Sequence, residues 1–266
     1  MKKYKFIYVV VLYKTVEYLS DLRESIIRQN EPYRIILVNN YADEKSLNDA
    51  RKIALESDDV DLVEMPNNGY GAGNNAGIDY AVQNYSFDYL VVCNSDTVIE
   101  ELDVNLLDEP IEPVIYAPEI ICSTGKRQNP NWAYYRPLIE KMQYVACKYD
   151  NQFLDLMAIA LLKSERLFFQ HLFKGVKRKK IYSAHGAFLI ISREAVEKMY
   201  PLYDEKMFLF YEEVFLAKKA KKLGVSTFYV PQIRVFHKED GSMRLANVNQ
   251  KKQAQKSVVY YYENKR

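Results

Sequence analysis

Long apolar runs are missing from this chain of 266 residues. None reaches the length of about eighteen residues that a membrane-spanning helix requires, so we expect no transmembrane segment. The first apolar run is short and is interrupted at Thr15 and Glu17. It indicates a strand rather than a signal peptide.

Cysteine and excess charge are also scarce. Cys93, Cys122 and Cys147 are far apart in the sequence and form neither a metal-binding spacing nor a disulfide framework, which indicates a reducing compartment. The formal net charge is only +2. That value argues against general electrostatic binding of nucleic acid, so nucleic acid is not an expected partner.

Short apolar runs alternate with helical patterns along the first hundred residues. Phe6 to Tyr13 is rich in valine, as expected for a strand covered on both faces. This rhythm predicts a doubly wound α/β domain whose ligand lies beyond the carboxyl ends of the strands. The further predicted strands are 34–38, 60–65, 87–93, 187–191, 227–230 and 233–237, and the predicted helices begin near residues 19, 46, 76, 210 and 245.

The nine glycines are few but clustered, and four of them lie within residues 69–77. Glycine permits positive φ and close approach of a ligand to the main chain, so 67–77 is a candidate ligand-binding loop. It is not a Walker loop, because no Gly-Lys-Ser/Thr follows, and Asn74 replaces the last glycine of a dinucleotide fingerprint. A tight strand-to-helix turn is the alternative.

Asn94-Ser95-Asp96 follows the predicted strand 87–93. A carboxylate at a strand tip suits Mg²⁺ or Mn²⁺ held against substrate phosphates, although Asn, Ser and Asp are also common in turns. Together with the glycine stretch, Asp96 predicts an enzyme that acts on a phosphate-bearing donor. His237 follows another predicted strand and is a second candidate metal ligand, whereas we expect His171 and His185 to be structural.

Glu212 and Glu213 open a predicted helix after an aromatic segment. Acidic residues in a first helical turn interact favourably with the helix dipole, by about 0.3–1 kcal/mol. They are also candidates for a general base, because apolar surroundings raise the pKa of a buried carboxyl toward neutrality.

Residues 168–180 combine aromatic and aliphatic side chains with five basic ones. This pattern favours a surface helix that contacts anionic lipid, at about 1 kcal/mol per basic residue. A solvated basic loop beside a core helix is the alternative.

Taken together, these segments resemble the inverting nucleotide-sugar glycosyltransferases of the GT-A fold, near the bacterial rhamnosyltransferase-like branch. The resemblance covers most of the chain. Asn94-Ser95-Asp96 corresponds to the family's metal-binding DXD triplet, and Glu212-Glu213 to its catalytic acidic pair. The other matching segments are 9–14, 36–40, 67–77, 186–193 and His237 with Gly241-Ser242.

The resemblance implies a mixed, mostly parallel sheet flanked by helices, with a helical C-terminal acceptor region. It implies a single domain, in which residues 1–97 bind the donor, 98–244 form the acceptor and catalytic half, and 245–266 form a last helix. In the family, tyrosines similar to those at 260–262 are followed by further sequence. The resemblance therefore implies a chain that is truncated at its C-terminus. The implied nucleotide-sugar-binding residues are Val11, Tyr13, Asn39, Gly71, Gly73, Asn74, Asn75, Asn94, Ser95 and Asp96.

The implied reaction is a single displacement at the anomeric carbon, with Glu213 as base and Glu212 as its substitute. Asp96 and His237 would hold Mn²⁺ or Mg²⁺. The donor is a nucleoside-diphosphate sugar, and the acceptor is a saccharide or lipid-linked saccharide of a bacterial surface polysaccharide. The setting would be cytoplasmic, with peripheral binding to the inner face of the plasma membrane.

Three residues depart from the family pattern. Asn39 and Asn94 each stand where aspartate is usual, and Glu213 stands where the base is commonly aspartate. The lost carboxylates motivate a rival interpretation, a non-catalytic member that binds a nucleotide sugar without turnover. A nucleotidyltransferase is a third, but no basic triphosphate-binding loop lies near the first strand.

Overall fold

The computed structural model of the chain describes residues 2–41, 43–107, 112–173, 175–239 and 249–264. The N-terminal half alternates strands and helices as the sequence predicts. The strands are β1 (Lys3–Leu12), β2 (Tyr33–Tyr41), β3 (Val60–Pro66) and β4 (Ser86–Asn94), and the helices are α1 (Leu19–Ile27), α2 (Glu44–Leu55) and α3 (Tyr70–Asn84).

The C-terminal half mixes strands of both directions with long helices. A short 3₁₀ turn spans Val104–Leu106. The strands are β5 (Thr97–Glu101), β6 (Val114–Cys122), β7 (Lys179–Ile181), β8 (Phe188–Ser192) and β9 (Ser226–His237). The helices are α4 (Pro137–Lys148), α5 (Gln152–Leu172), α6 (Arg193–Met199), α7 (Glu212–Lys222) and α8 (Gln250–Asn264).

All of these strands join one nine-stranded sheet in the order β3-β2-β1-β4-β8-β6-β9-β5, with β7 also paired to β9. β1, β2, β3 and β4 are mutually parallel. β8 is antiparallel to both β4 and β6, and β6 is parallel to β9. The predicted class, a mixed and mostly parallel sheet flanked by helices, is confirmed.

Successive residues of β1 enter two different cores, because side chains of a strand alternate between the faces of the sheet. Ile7 and Val9 pack with Ile78 of α3 on one face. Tyr8 and Val10 pack on the opposite face with a cluster that includes Leu22 of α1. Burial on both faces explains why β1 reads as a continuous apolar run rather than an alternating one.

The structure corrects several predicted boundaries. The candidate loop 67–77 is mostly helical, because α3 begins at Tyr70 rather than near Ala76. The two strands predicted at 227–230 and 233–237 are one strand, β9. β5, β6, α4 and α5 were not predicted. The expected start of the last helix, at 245–248, and Gly241-Ser242 lie outside the described residues.

Residues 168–180 divide between three elements rather than forming one surface helix. α5 ends at Leu172, a turn follows, and β7 begins at Lys179. Phe169 and Phe173 are buried, so the aromatic part of the segment belongs partly to the core. In the ranges described above, no helix combines the length and the apolar character needed to cross a bilayer.

Candidate active site

A cavity of about 470 Å³ opens at the carboxyl ends of the parallel strands. Eight of the residues predicted from the sequence line it. They are Val11, Tyr13, Asn94, Ser95, Asp96, Glu212, Glu213 and His237. Residues that are far apart in the sequence therefore share one cleft.

Sheet topology explains why these residues meet. β6 runs in the direction of β4, since β8 is antiparallel to both, and β9 is parallel to β6. The carboxyl ends of β1, β4 and β9 therefore lie at one edge of the sheet, where the amino end of β8 joins them. The Asn94 N–H donates to the Ala187 carbonyl at 2.9 Å and closes this junction.

Asp96 and His237 face each other at that edge, and both are buried. Asp96 lies in the tight connection between β4 and β5. Thr97 pairs with His237 across β5 and β9, and the Lys238 N–H donates to the Asp96 carbonyl at 3.0 Å. These backbone contacts place Asp96 Oδ1 3.3 Å from His237 Nε2.

Gln128 determines which ring nitrogen of His237 carries the proton in the neutral ring. The Gln128 amide nitrogen donates to Glu239 Oε1 at 2.6 Å, so its oxygen faces His237 Nδ1 at 2.9 Å. Nδ1 must donate in this contact, because an amide oxygen only accepts. Nε2 is then an acceptor that faces the Asp96 carboxylate, and two acceptors this close suit a divalent cation.

A cation at this position would draw only part of its coordination from the protein. Within the described part of the chain, no group of three or more His, Cys, Asp or Glu side chains is placed to hold a metal ion. Mg²⁺ and Mn²⁺ sites with one or two protein ligands are completed by water and substrate phosphates. Asp96 and His237 therefore fit a metal that binds together with a diphosphate.

An unusual backbone segment precedes Glu212 and Glu213, the two glutamates that line the cavity. Phe210 and Tyr211, just before α7, have φ angles of 72° and 73°, in the left-handed region that residues other than glycine adopt uncommonly. α7 then begins at Glu212. Strained backbone of this kind persists where surrounding structure enforces it, and it clusters at functional sites.

The surroundings raise the pKa of both carboxyl groups. Burial, and then the adjacent Glu213, raise the pKa of Glu212 to about 8. Burial also raises the pKa of Glu213, but backbone hydrogen bonding and the positive charge of Arg166 oppose that rise. At neutral pH Glu212 therefore retains a proton, and Glu213 is the better candidate for an ionised base.

Tyr70 crosses the site from the start of α3. Its hydroxyl donates to Asn94 Oδ1 at 3.0 Å and lies 3.3 Å from the Gly186 carbonyl. The side-chain oxygen of Asn94, which the sequence resemblance aligns with a carboxylate position, thus accepts from a tyrosine. Asp96 is thus left as the carboxylate of the triplet.

Residues 8–200 match the family described as glycosyl transferase family 2, a match that covers most of the chain. The chain belongs to this family. No curated protein sequence matches it.

Solved structures support the fold of this glycosyltransferase. A structure of GalNAc-T7 with UDP, GalNAc and Mn²⁺ is similar, with 15% identity and a TM-score of 0.58 over 88% of this chain. The chain spans only 44% of that protein. Residues 1–349 of TarS from S. aureus match at 12% identity and a TM-score of 0.55, covering 98% of this chain and 71% of that one.

The same TarS fragment in complex with UDP gives a TM-score of 0.54 at 12% identity, over 98% of this chain and 71% of that one. At these identities the likeness shows the GT-A fold alone. The fold predicted from the sequence is confirmed in this respect.

Five predicted binding residues of the glycosyltransferase do not line the cavity. Gly71, Gly73, Asn74 and Asn75 belong to α3 and are buried, and Asn39 is buried within β2. The glycines serve close packing instead. A Cβ at Gly73 would lie 3.0 Å from Val11 Cγ1.

The asparagines of α3 make internal hydrogen bonds. Asn75 donates to the Tyr203 carbonyl at 2.9 Å and accepts from the Tyr203 N–H at 3.1 Å, which ties α3 to the segment before α7. Asn74 donates to the Tyr70 carbonyl at 3.0 Å. These two residues hold the scaffold around the cavity rather than forming its wall.

Asn39 and Asn40 end β2 close to the site. Both amide atoms of Asn39 are buried without a hydrogen-bond partner among the described residues, and so is Oδ1 of Asn40. Asn40 lines the cavity, and its Nδ2 donates to the Gly69 carbonyl at 3.1 Å. Buried amide atoms without partners cost free energy, so this strand end suits a polar ligand group.

Several residues that line the cavity were not predicted individually but lie in or beside predicted segments: Asn40 follows Asn39, and Asn67, Gly69 and Tyr70 belong to the candidate loop 67–77. Gln128 and His185 gave no signal from spacing. His185, expected to be structural, accepts from the Ala187 N–H at 3.2 Å. Burial, then the charges of His237, Arg166 and Lys126, lower its pKa to about 3. The ring is therefore neutral, with its proton on Nε2.

Proposed function

We propose that this protein is an inverting glycosyltransferase that moves a sugar from a nucleoside-diphosphate sugar to a saccharide acceptor. The observation that carries the proposal is the convergence of two kinds of group in one cavity. Asp96 and His237 present acceptor atoms 3.3 Å apart, and Glu212 and Glu213 line the same cavity. Together they supply a place for a diphosphate-bound cation and a base.

The reaction is one displacement at the anomeric carbon. Glu213 takes the proton of the acceptor hydroxyl while that oxygen forms its bond to the anomeric carbon. The bond between that carbon and the diphosphate oxygen breaks, and its electron pair leaves with the nucleoside diphosphate. A bound Mn²⁺ or Mg²⁺ would offset the negative charge on the leaving diphosphate.

Glu212 has a different role from Glu213. Its pKa of about 8 keeps it protonated at neutral pH, so it does not take up the proton of the acceptor. Asn40 at the end of β2 would receive a polar group of the nucleoside, since it lines the cavity and its buried Oδ1 has no protein partner within the described ranges.

The first experiment separates binding from turnover. UDP is the first probe, because GalNAc-T7 and TarS structures contain it. A selective rise in melting temperature with UDP and Mn²⁺ should identify donor binding, since a ligand in excess stabilises the folded state by mass action. Other nucleoside diphosphates and their sugars complete the panel. Release of pyrophosphate from a triphosphate would favour a nucleotidyltransferase instead.

Two isosteric substitutions test the assigned roles. Glu213→Gln should lower kcat by about 10²–10⁴ while UDP binding survives. Asp96→Asn should abolish the Mn²⁺-dependent part of the UDP shift. Glu56→Gln, an exposed glutamate beyond α2, is the matched control. Full turnover by Glu213→Gln would rule out this base, and donor binding without any turnover by the unaltered chain would favour the non-catalytic interpretation.

We further propose a cytoplasmic setting at the inner face of a bacterial plasma membrane, with a lipid-linked acceptor for surface polysaccharide synthesis. The sequence resemblance supports this setting. The three cysteines, Cys93, Cys122 and Cys147, are free thiols, which agrees with a reducing compartment. Transfer to acceptor lipid extracted from bacterial membranes, measured with the donor identified by the panel, tests it.

A further inference from the structure

α5 exposes an apolar surface along its whole length. Its 21 residues correspond to about 31 Å of helix. Only Ala158 and Phe169 of α5 are fully buried. The outer face of α5 is defined here by eight large apolar side chains, each at least 40% exposed: Phe153, Leu156, Met157, Ile159, Leu161, Leu167, Phe168 and Leu172.

Contiguous apolar surface of this extent marks an interaction site rather than ordinary surface scatter. The opposite face of the same helix leads to the cavity. Arg166 donates to Asn131 Oδ1 at 3.1 Å, and the Asn131 amide lies 3.5 Å from Glu213 Oε1. Two side chains, Arg166 and Asn131, therefore connect α5 to the candidate base Glu213.

Positive charge lies near the centre of this face and beyond its C-terminal end. The exposed positions of α5 include Lys163, whereas its two carboxylates, Asp155 and Glu165, are only partly exposed. Glu165 is mostly buried and pairs with Arg136 at 2.8 Å. Beyond the C-terminal end of the helix, Lys177, Lys179 and Lys180 are exposed. An apolar helix face flanked by lysines is the pattern of helices that lie in the interface of an anionic bilayer.

A second copy of the chain fits this face less well. Lys163 lies next to the centre of α5, so antiparallel pairing of two such faces about a two-fold axis would bring the two Lys163 side chains together. No exposed carboxylate of α5 would separate them. A lipid surface lets the lysine stem lie along the apolar region while its ammonium group reaches the headgroups.

We propose that the outer face of α5 is the surface by which this protein binds an anionic lipid bilayer. The helix lies in the membrane interface, and the acceptor side of the cavity, around Glu213, is held next to the bilayer. A saccharide carried on a membrane lipid would then reach the base without leaving the surface. This last step rests on the proposed glycosyl transfer, whereas the binding of lipid does not.

Vesicle flotation tests the proposal on the full chain. The probes are phosphatidylcholine vesicles with and without phosphatidylglycerol as about one lipid in three. The unaltered protein should float with the anionic vesicles. The double variant Leu156→Ser/Phe168→Ser should lose about tenfold or more in partition coefficient. Leu55→Ser, at an 87% exposed leucine that ends α2, should partition as the unaltered protein does.

Charge is tested separately with Lys177→Gln/Lys179→Gln/Lys180→Gln. This variant should lose the extra binding that phosphatidylglycerol provides, while Lys45→Gln/Lys52→Gln on α2 should not. The proposal is overturned if the unaltered chain fails to float, or if the outer-face variant floats equally well. It is also overturned if light scattering shows a dimer that Leu156→Ser/Phe168→Ser dissociates and vesicles are not bound.

The two proposals fail in different ways. The melting shift with UDP and Mn²⁺ is measured for every variant, and each should retain it, because none of the substituted residues lines the cavity. A protein that floats but binds no nucleotide would contradict the proposed transfer and leave the lipid surface intact. A protein that binds UDP but no vesicle would contradict only the lipid surface.

Discussion

Glu212 should make the protein less stable as the pH rises, and Glu212→Gln should remove that dependence. The glutamate is 6% exposed, and one of its oxygens has no hydrogen-bond partner among the described residues. Burial and the neighbouring Glu213 raise its pKa from an ordinary 4.5 to about 8. Glutamine has the shape of the protonated acid but does not ionise.

The fall in stability with rising pH follows from proton binding. Between pH 4.5 and pH 8 the folded chain retains a proton on Glu212 that the unfolded chain has lost, so the free energy of unfolding falls as the pH rises through this window. Below pH 4.5 both states are protonated and the effect vanishes. One pKa unit corresponds to about 1.4 kcal/mol, which sets an upper bound of about 4 kcal/mol at pH 8.

Thermal unfolding of the two proteins across this range measures the effect. For a chain of this size about 1 kcal/mol shifts the melting temperature by about 2 °C. Glu212→Gln should therefore melt at nearly the same temperature as the unaltered chain at pH 4.5. At pH 8 it should melt higher, by up to about 8 °C. Glu56→Gln, at an exposed position, controls for the general effect of removing a negative charge.

The protonated state of Glu212 also has a consequence for turnover. Because Glu212 is already protonated at neutral pH, Glu212→Gln should keep most of the turnover that Glu213→Gln loses. A melting-temperature difference that does not vary with pH would show that Glu212 is ionised in the folded state. Loss of turnover in Glu212→Gln comparable with that of Glu213→Gln would refute the division of roles.

Two further substitutions test the scaffold of the site. Gly77→Ala should lower the free energy of unfolding, measured by urea denaturation, by about 2 kcal/mol. The new Cβ would lie 2.5 Å from Val9 Cγ1, and this overpacking outweighs the gain of about 1 kcal/mol in helix propensity. Equal or higher stability of the variant would contradict the close packing. Tyr70→Phe should weaken UDP binding about three- to tenfold in calorimetry, because the hydrogen bond to Asn94 is lost. Unchanged affinity would show that Tyr70 does not position Asn94 for the ligand.

The sequence predicted the strands of the N-terminal half well because they are buried on both faces. Valine-rich runs such as residues 6–13 have few structural alternatives. Carboxyl ends of parallel strands then meet at one edge whatever the details of the loops. Asp96 could therefore be predicted in the site from its position alone.

The start of α3 within the glycine stretch was predicted too late for a physical reason. Glycine disfavours helix interiors by about 1 kcal/mol relative to alanine, so local preference delayed the predicted start of α3 to Ala76. Tertiary packing overrides that preference, because α3 lies so close to β1 that a Cβ at Gly77 would overlap Val9. Close packing of a helix on a sheet and close approach of a ligand both favour glycine, so the sequence alone does not distinguish the two causes.

The contacts that tune the site had no sequence signal at all. Gln128 and Glu239 are 111 residues apart, yet their hydrogen bond sets the orientation of the His237 ring. His185 enters the cavity through the register of β8 against β4. Such pairings depend on strand order, and the strand order of the C-terminal half was not predictable because β5 and β6 were not recognised.

The continuity of the sheet limits how this protein can enclose a ligand. β4 of the N-terminal half and β8 of the C-terminal half are adjacent, hydrogen-bonded strands, and residues of their junction line the cavity. Two halves joined in this way do not rotate about a hinge, because such a rotation would break the hydrogen bonds between β4 and β8. Shielding of the reacting centre from bulk water must therefore come from segments outside the sheet, and amide exchange on nucleotide binding should slow there while β4 and β8 stay unchanged.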